Sequence, residues 1–156
     1  MYKKTLAIGF ISSNFLSIIL ISIIGSYFET ETSFFQFLLI FCVFWTVERV
    51  VGHILIFGIY FLIVLLLDKK IKSNRVFYLL LLLAGAIYLS LFAWINWNHT
   101  NGLYKTFEVY LIRGSYYLIY AVVVVLVLSI LGVVNRRAAQ NRQFIHDQAF
   151  RNPQGE

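Results

Sequence analysis

The chain has 156 residues, 60% of them hydrophobic and 18% aromatic, with only 13% charged and a mean hydropathy of +0.80. Such a composition excludes a soluble globular domain and leaves insertion into a lipid bilayer as the economical explanation. The formal net charge of +6 would suggest nucleic acid in a soluble protein, but here the cations sit beside apolar stretches, so nucleic acid is excluded and anionic lipid head groups are the expected partners.

Ten of the thirteen Lys and Arg residues fall in three patches, Lys3–Lys4, Lys69–Arg75 and Arg136–Arg151. Short basic segments between long apolar ones are the mark of cytoplasmic loops, so this spacing orients the whole chain. The first apolar run, residues 5–28, is about 24 residues long, beyond the core of a secretory signal, and no small-x-small site closes it. It is expected to be a retained first span. An acidic, polar turn from Glu29 to Ser33 follows on the outer side.

The next apolar stretch, residues 34–67, would reach roughly 50 Å as one helix, against a hydrocarbon thickness of about 30 Å. Counting back about 20 residues from Asp68 and Lys69 places the outer boundary near Glu48 and Arg49. Residues 34–47 are therefore expected to form an interfacial or tilted extension. Phe34, Phe35, Phe37, Phe41, Phe44 and Trp45 suit an aromatic belt, and no Gly or Pro marks a break. A third span is expected over 76–97, a turn over 98–102, and a fourth span over 107–134.

These elements predict an all-α integral membrane protein, a four-transmembrane-helix bundle with both termini in the cytoplasm (N-in/C-in). Residues 1–134 form the transmembrane domain and residues 135–156 a polar cytoplasmic tail. Ala138, Ile145 and Ala149, with Phe144 and Phe150 nearby, allow a short amphipathic helix resting on head groups or on a partner; the alternative is a frayed, solvated tail. Within the first span, Ser12, Ser13, Asn14 and Ser17 form a polar stripe that helix packing explains. Gly52, Gly58 and Ala84-Gly85-Ala86 likewise read as points of close helix approach.

The sharpest functional clue is a polar layer near the outer face. The same vertical count brings Glu48 and Arg49 of the second span, Asn96 of the third and Arg113 of the fourth to one level. Glu108 stands slightly beyond, and His53 one helical turn deeper. Charges at that depth need pairing, hydration or snorkelling. Either Glu48–Arg113 and Glu108–Arg49 pairs lock helix register, or Arg49 and Arg113 bind an anionic group while Glu48 and His53 relay protons.

Other chemistry finds little support. His53, His99 and His146 fall in a span, an outer loop and the tail, so no metal site and no cofactor are expected. Cys42 has no partner for a disulfide, and no G-x-S-x-G, HExxH or P-loop occurs. The leading reading is a small multi-pass protein that acts without enzymatic chemistry as an accessory, assembly or immunity-type component of a membrane complex, with a membrane-protein partner or a second copy of itself. An alternative is an oligomeric transporter or channel that uses the polar layer for an ion or anionic solute. A weaker one is an intramembrane enzyme acting on lipid head groups. The wealth of Ile, Phe, Tyr, Asn and Lys fits an AT-rich bacterial genome, so a bacterial cytoplasmic (inner) membrane is expected, with an archaeal or organellar membrane as the alternatives of the same composition.

Overall fold

The computed structural model describes residues 2–28, 33–36, 38–39, 50–100 and 116–151. Four helices account for nearly all of them: α1 (Tyr2–Phe28), α2 (Val50–Lys70), α3 (Asn74–Thr100) and α4 (Tyr116–Arg151), with no strand among the described residues. Each contains a stretch long and apolar enough to cross a membrane, namely Lys3–Tyr27, Gly52–Lys70, Asn74–Ile95 and Tyr116–His146. The chain is thus a multi-pass, all-helical membrane protein. In hydrocarbon only the helix satisfies every backbone N–H and C=O within one segment, which is why runs of Leu, Ile, Val and Phe take this form.

The first three spans sit close to the expected ones, with α2 starting at Val50 and α3 at Asn74, whereas α4 continues to Arg151, well past the limit expected at 134, and residues 107–115 lie outside the described residues. Before α2, the expected interfacial or tilted extension over 34–47 lies mostly outside the described residues. What is described there is a helix start at Phe34, capped by Ser33. The Ser33 backbone N–H donates to Gln36 Oε1 at 2.9 Å and the Gln36 N–H donates to Ser33 Oγ at 3.4 Å, a reciprocal capping box.

Helix α4 is the hub. It packs against α1 most extensively, then against α2 and α3, and α2 also touches α3. Its inward positions recur every four residues as Tyr120, Val124, Leu128, Gly132 and Arg136, all buried. The buried face of α1 has the same spacing, Thr5, Gly9, Ser13, Ser17, Ile21 and Gly25. Small side chains at four-residue intervals let two backbones approach closely, and in lipid that dispersion contact replaces the missing hydrophobic drive.

Two glycines mark where this approach is tightest. A methyl group on Gly9 would stand 2.9 Å from Leu128 Cδ2 and 3.3 Å from the Phe57 ring. One on Gly132 would stand 2.9 Å from Val64 Cγ1. Three polar side chains on α1 turn to its own carbonyls: Asn14 Nδ2 donates to Phe10 O at 2.8 Å, Ser17 Oγ to Ser13 O at 2.7 Å and Ser22 Oγ to Ile18 O at 2.7 Å. The serine stripe is therefore a packing face.

Around the hub the interior is aromatic. Phe10 of α1 meets Phe57 of α2 edge-on at 5.4 Å, and Tyr60 of α2 lies 5.2 Å from Tyr88 of α3. Tyrosines bring hydroxyls that must be satisfied when buried. Tyr60 OH bonds Ser129 Oγ of α4 at 3.0 Å and Tyr88 OH donates to Ile56 O of α2 at 2.8 Å, so each hydroxyl ties two helices together.

Replacing Gly132 by Ile is expected to force α2 away from α4, because the β-branched Val64 cannot swing aside. We expect a loss of about 2 kcal/mol from overpacking, read by denaturant unfolding in mixed micelles. A methyl on Gly58 meets nothing within 4 Å, so Gly58→Ala in the same assay is expected to be neutral or to gain up to about 1 kcal/mol of helix propensity.

Candidate functional site

Of the six residues expected in the outer polar layer, Glu48, Arg49, Glu108 and Arg113 lie outside the described residues. Asn96 lies on α3, with its backbone alone described. His53 is the one whose side chain is placed: it is 1% exposed, in the first turn of α2. Its imidazole meets the Tyr120 ring edge-on at 4.1 Å and lies 6.0 Å from the Tyr117 ring, both on α4. Gly52, one residue earlier, leaves room for Tyr117, whose ring a Cβ there would meet at 3.5 Å. His53 thus packs the start of α2 against the start of α4.

At the opposite end, the structure assembles a polar cluster that sequence reasoning took only as a topology signal. Its centre is Arg136, whose side chain is 8% exposed. Nε donates to Asn74 Oδ1 at 2.7 Å, and Nη2 donates to the carbonyls of Ile71 and Lys72, each at 2.6 Å. Nη1 stands 3.5 Å from Asp68 Oδ1, and the guanidinium carbon lies 4.4 Å from the centre of the Phe77 ring. One side chain from α4 therefore holds the last turn of α2, the connection at residues 71–73 and the first turn of α3.

Each contact has a local cause. A helix leaves its last carbonyls without partners, and a three-residue connection between two long spans exposes still more. Ile71 N closes one turn by donating to Leu67 O at 3.0 Å, and Phe77 N donates to Ser73 O at 3.0 Å to begin α3. The carbonyls left over, at 71 and 72, are those that Arg136 takes. A planar guanidinium with five donors suits this task, whereas an ammonium could not reach the same acceptors at once.

The cluster extends on both sides. Asn74 and Gln140 exchange amide hydrogen bonds at 3.0 and 2.8 Å, one turn further along α4. Asn135 Nδ2 donates to Thr5 Oγ1 at 2.6 Å and so secures α1. Beside Thr5, Asp68 and Asn135 lies a cavity of about 20 Å³, enough for one water molecule with polar partners. All four helices meet in this clasp, which gathers one carboxylate, three side-chain amides and the Phe77 ring around Arg136. It can hold structure and bind water. Among the described residues no group of three His, Cys, Asp or Glu side chains could hold a metal ion.

The signal for Arg136 was present but degenerate. Arg136 and Arg137 are adjacent and chemically identical, yet the first is buried and the second exposed. A four-residue count from Tyr120 through Leu128 and Gly132 would have singled out Arg136 as the inward one. Set against protein-family models, curated proteins and solved structures, the chain matches none of them.

Loss of the clasp is expected to be costly. Arg136→Gln leaves the 71 and 72 carbonyls and Asp68 without their donor, and we expect about 3 kcal/mol of destabilisation in mixed-micelle unfolding. Arg136→Lys is expected to recover less than half, since charge returns but the fork does not. A lysine variant as stable as the parent would show that charge alone matters.

Proposed function

We propose that the chain is a non-enzymatic accessory, assembly or immunity-type component of a membrane complex, that both termini face the cytoplasm of a bacterial inner membrane, and that the end of α4 is its docking element. One observation carries this reading. Helix α4 runs unbroken for 36 residues, about 54 Å, where about 30 Å would cross the hydrocarbon. Beyond Arg136 it continues for four further turns, and past the Gln140–Asn74 contact residues 141–146 are all exposed, Phe144 and Ile145 by 64% and 65%.

A bare helical segment with two large apolar side chains is marginal in water without something to pack on. Between Val133 and Arg151 there is neither Gly nor Pro to turn it along the membrane surface. A projecting helix in line with its span suits a protein partner better than a bed of head groups. Arg142 and Arg151 on the same segment favour a partner with acidic groups. The orientation rests on charge: the Thr5–Asn135 and Arg136–Asp68 contacts bring the three basic patches to one end of the molecule, and such an end stays in the cytoplasm.

Two measurements test this. With Cys42 replaced by Ser, a Ser73→Cys variant is expected to be labelled by a membrane-impermeant thiol reagent only after the inner membrane is opened; labelling of intact spheroplasts would invert the orientation. For the docking role, a photo-crosslinking amino acid at position 144 is expected to give one discrete adduct in cells. The double substitution Phe144→Ser with Ile145→Ser is expected to release the stoichiometric partner while insertion and unfolding midpoint stay unchanged. Purification of the parent chain as a lone species, with no adduct at 144, would overturn the accessory role.

A further inference from the structure

Between α3 and α4 a groove of about 670 Å³ opens toward the surrounding lipid. Its walls are Leu82 and Ala86 of α3 and Leu126 and Ile130 of α4, and at its basic end stand Tyr78 and Arg137. From Arg137 to Leu126 the groove follows eleven residues of helix, about 16 Å, which is half of a hydrocarbon core of about 30 Å. It spans one leaflet and stops there. The wall residues are apolar and largely exposed, Leu82 77% and Ile130 62%, while the mouth is cationic.

The charge at that mouth is not spoken for within the cluster nearby. Arg136 takes Asp68, whereas Arg137 points outward and is exposed. Arg75, also exposed, precedes Tyr78 by three residues and so shares its face of α3. A second copy of the chain seated on this groove would bring the same two cations to the same level, and like charges would oppose it. An anionic phospholipid has the reverse match. Its acyl chain is apolar and as long as one leaflet, and its phosphate sits at the depth where Arg137 and Arg75 end.

We propose that this groove is a binding site for an anionic phospholipid of the cytoplasmic leaflet, with one acyl chain laid between α3 and α4 and the phosphate held by Arg137 and Arg75. The inference rests on the membrane orientation given above but not on the accessory role. A chain that recruits no protein partner would hold the lipid equally well.

Native mass spectrometry of the full chain, released from micelles carrying equal amounts of phosphatidylglycerol and phosphatidylcholine, is the test. The parent is expected to retain one phosphatidylglycerol in preference to phosphatidylcholine. Arg137→Gln is expected to lower phosphatidylglycerol retention about fivefold, the effect of one cation near an anionic head group, and to leave phosphatidylcholine unchanged. Ala86→Phe, which fills the groove from an exposed position, is expected to lower retention of both. Equal retention of the two lipids by the parent, or unchanged retention in Arg137→Gln, overturns the proposal. So does a lipid-free dimer that Ala86→Phe dissociates, which would make the occupant a second copy. Arg137 lies outside the clasp, so its variant reports on the lipid even if the bulkier substitution fails to fold.

Discussion

The Arg136 guanidinium, placed where three helices and their connection converge, is the interaction on which the rest of the arrangement depends. Long apolar helices in a bilayer have little to choose between one packing and another, because lipid tails are as apolar as their side chains. Direction and register must come from a few polar contacts with fixed geometry. Arg136 supplies them through Asn74, the carbonyls of Ile71 and Lys72, Asp68 and the Phe77 ring. The basic end is thus defined by a site that accepts one conformation of the 71–73 connection, and the helices leave it already aligned. An ion pair buried at this level would be costly with a single partner, and it is offset here because Nε and Nη2 donate to three acceptors while Nη1 stands beside the Asp68 carboxylate.

From that fixed end, close packing carries the alignment along the bilayer. The four-residue spacing of Thr5, Gly9, Ser13 and Ser17 on α1 meets the same spacing on α4, so each contact repeats one turn further on. Gly9 and Gly132 remove the side chains that would hold the backbones apart. The tyrosine links then add orientation at depth, with Tyr60 to Ser129 joining α2 to α4 and Tyr88 to Ile56 joining α3 to α2. Near the other end His53 closes the series against Tyr120 and Tyr117. Hence α2, although apolar on every side, has one defined face toward α4, and that face could not be read from its hydropathy.

What was legible in the sequence follows from this division of labour. The number and approximate limits of the spans depend on backbone satisfaction in hydrocarbon, which is a property of composition along the chain. Val50–Lys70 and Asn74–Thr100 accordingly fall within a few residues of expectation. The serine stripe on α1 was legible for the same reason, since small polar residues in a span pack. The clasp was not, because a basic patch announces its side of the membrane without saying which cation turns inward. The outer polar layer was built from vertical position alone, and vertical position does not give the angle around the helix axis. For His53 that angle brings the imidazole against Tyr120 and Tyr117 of α4, a contact that vertical position could not supply.

The pair Arg136 and Arg137 condenses the argument. On a helix, neighbours differ by about 100° around the axis, so two identical side chains at the same height meet different worlds. One enters the clasp, where its donors order the connection between α2 and α3. The other is exposed at the mouth of the groove between α3 and α4. Both add the same charge to this end of the molecule, yet only the first shapes the fold. Beyond them the helix does not end. The same α4 that gathers the other three helices carries its exposed Phe144 and Ile145 about 12 Å or more past the clasp, so a force applied there would bear on the one element to which every other span is attached.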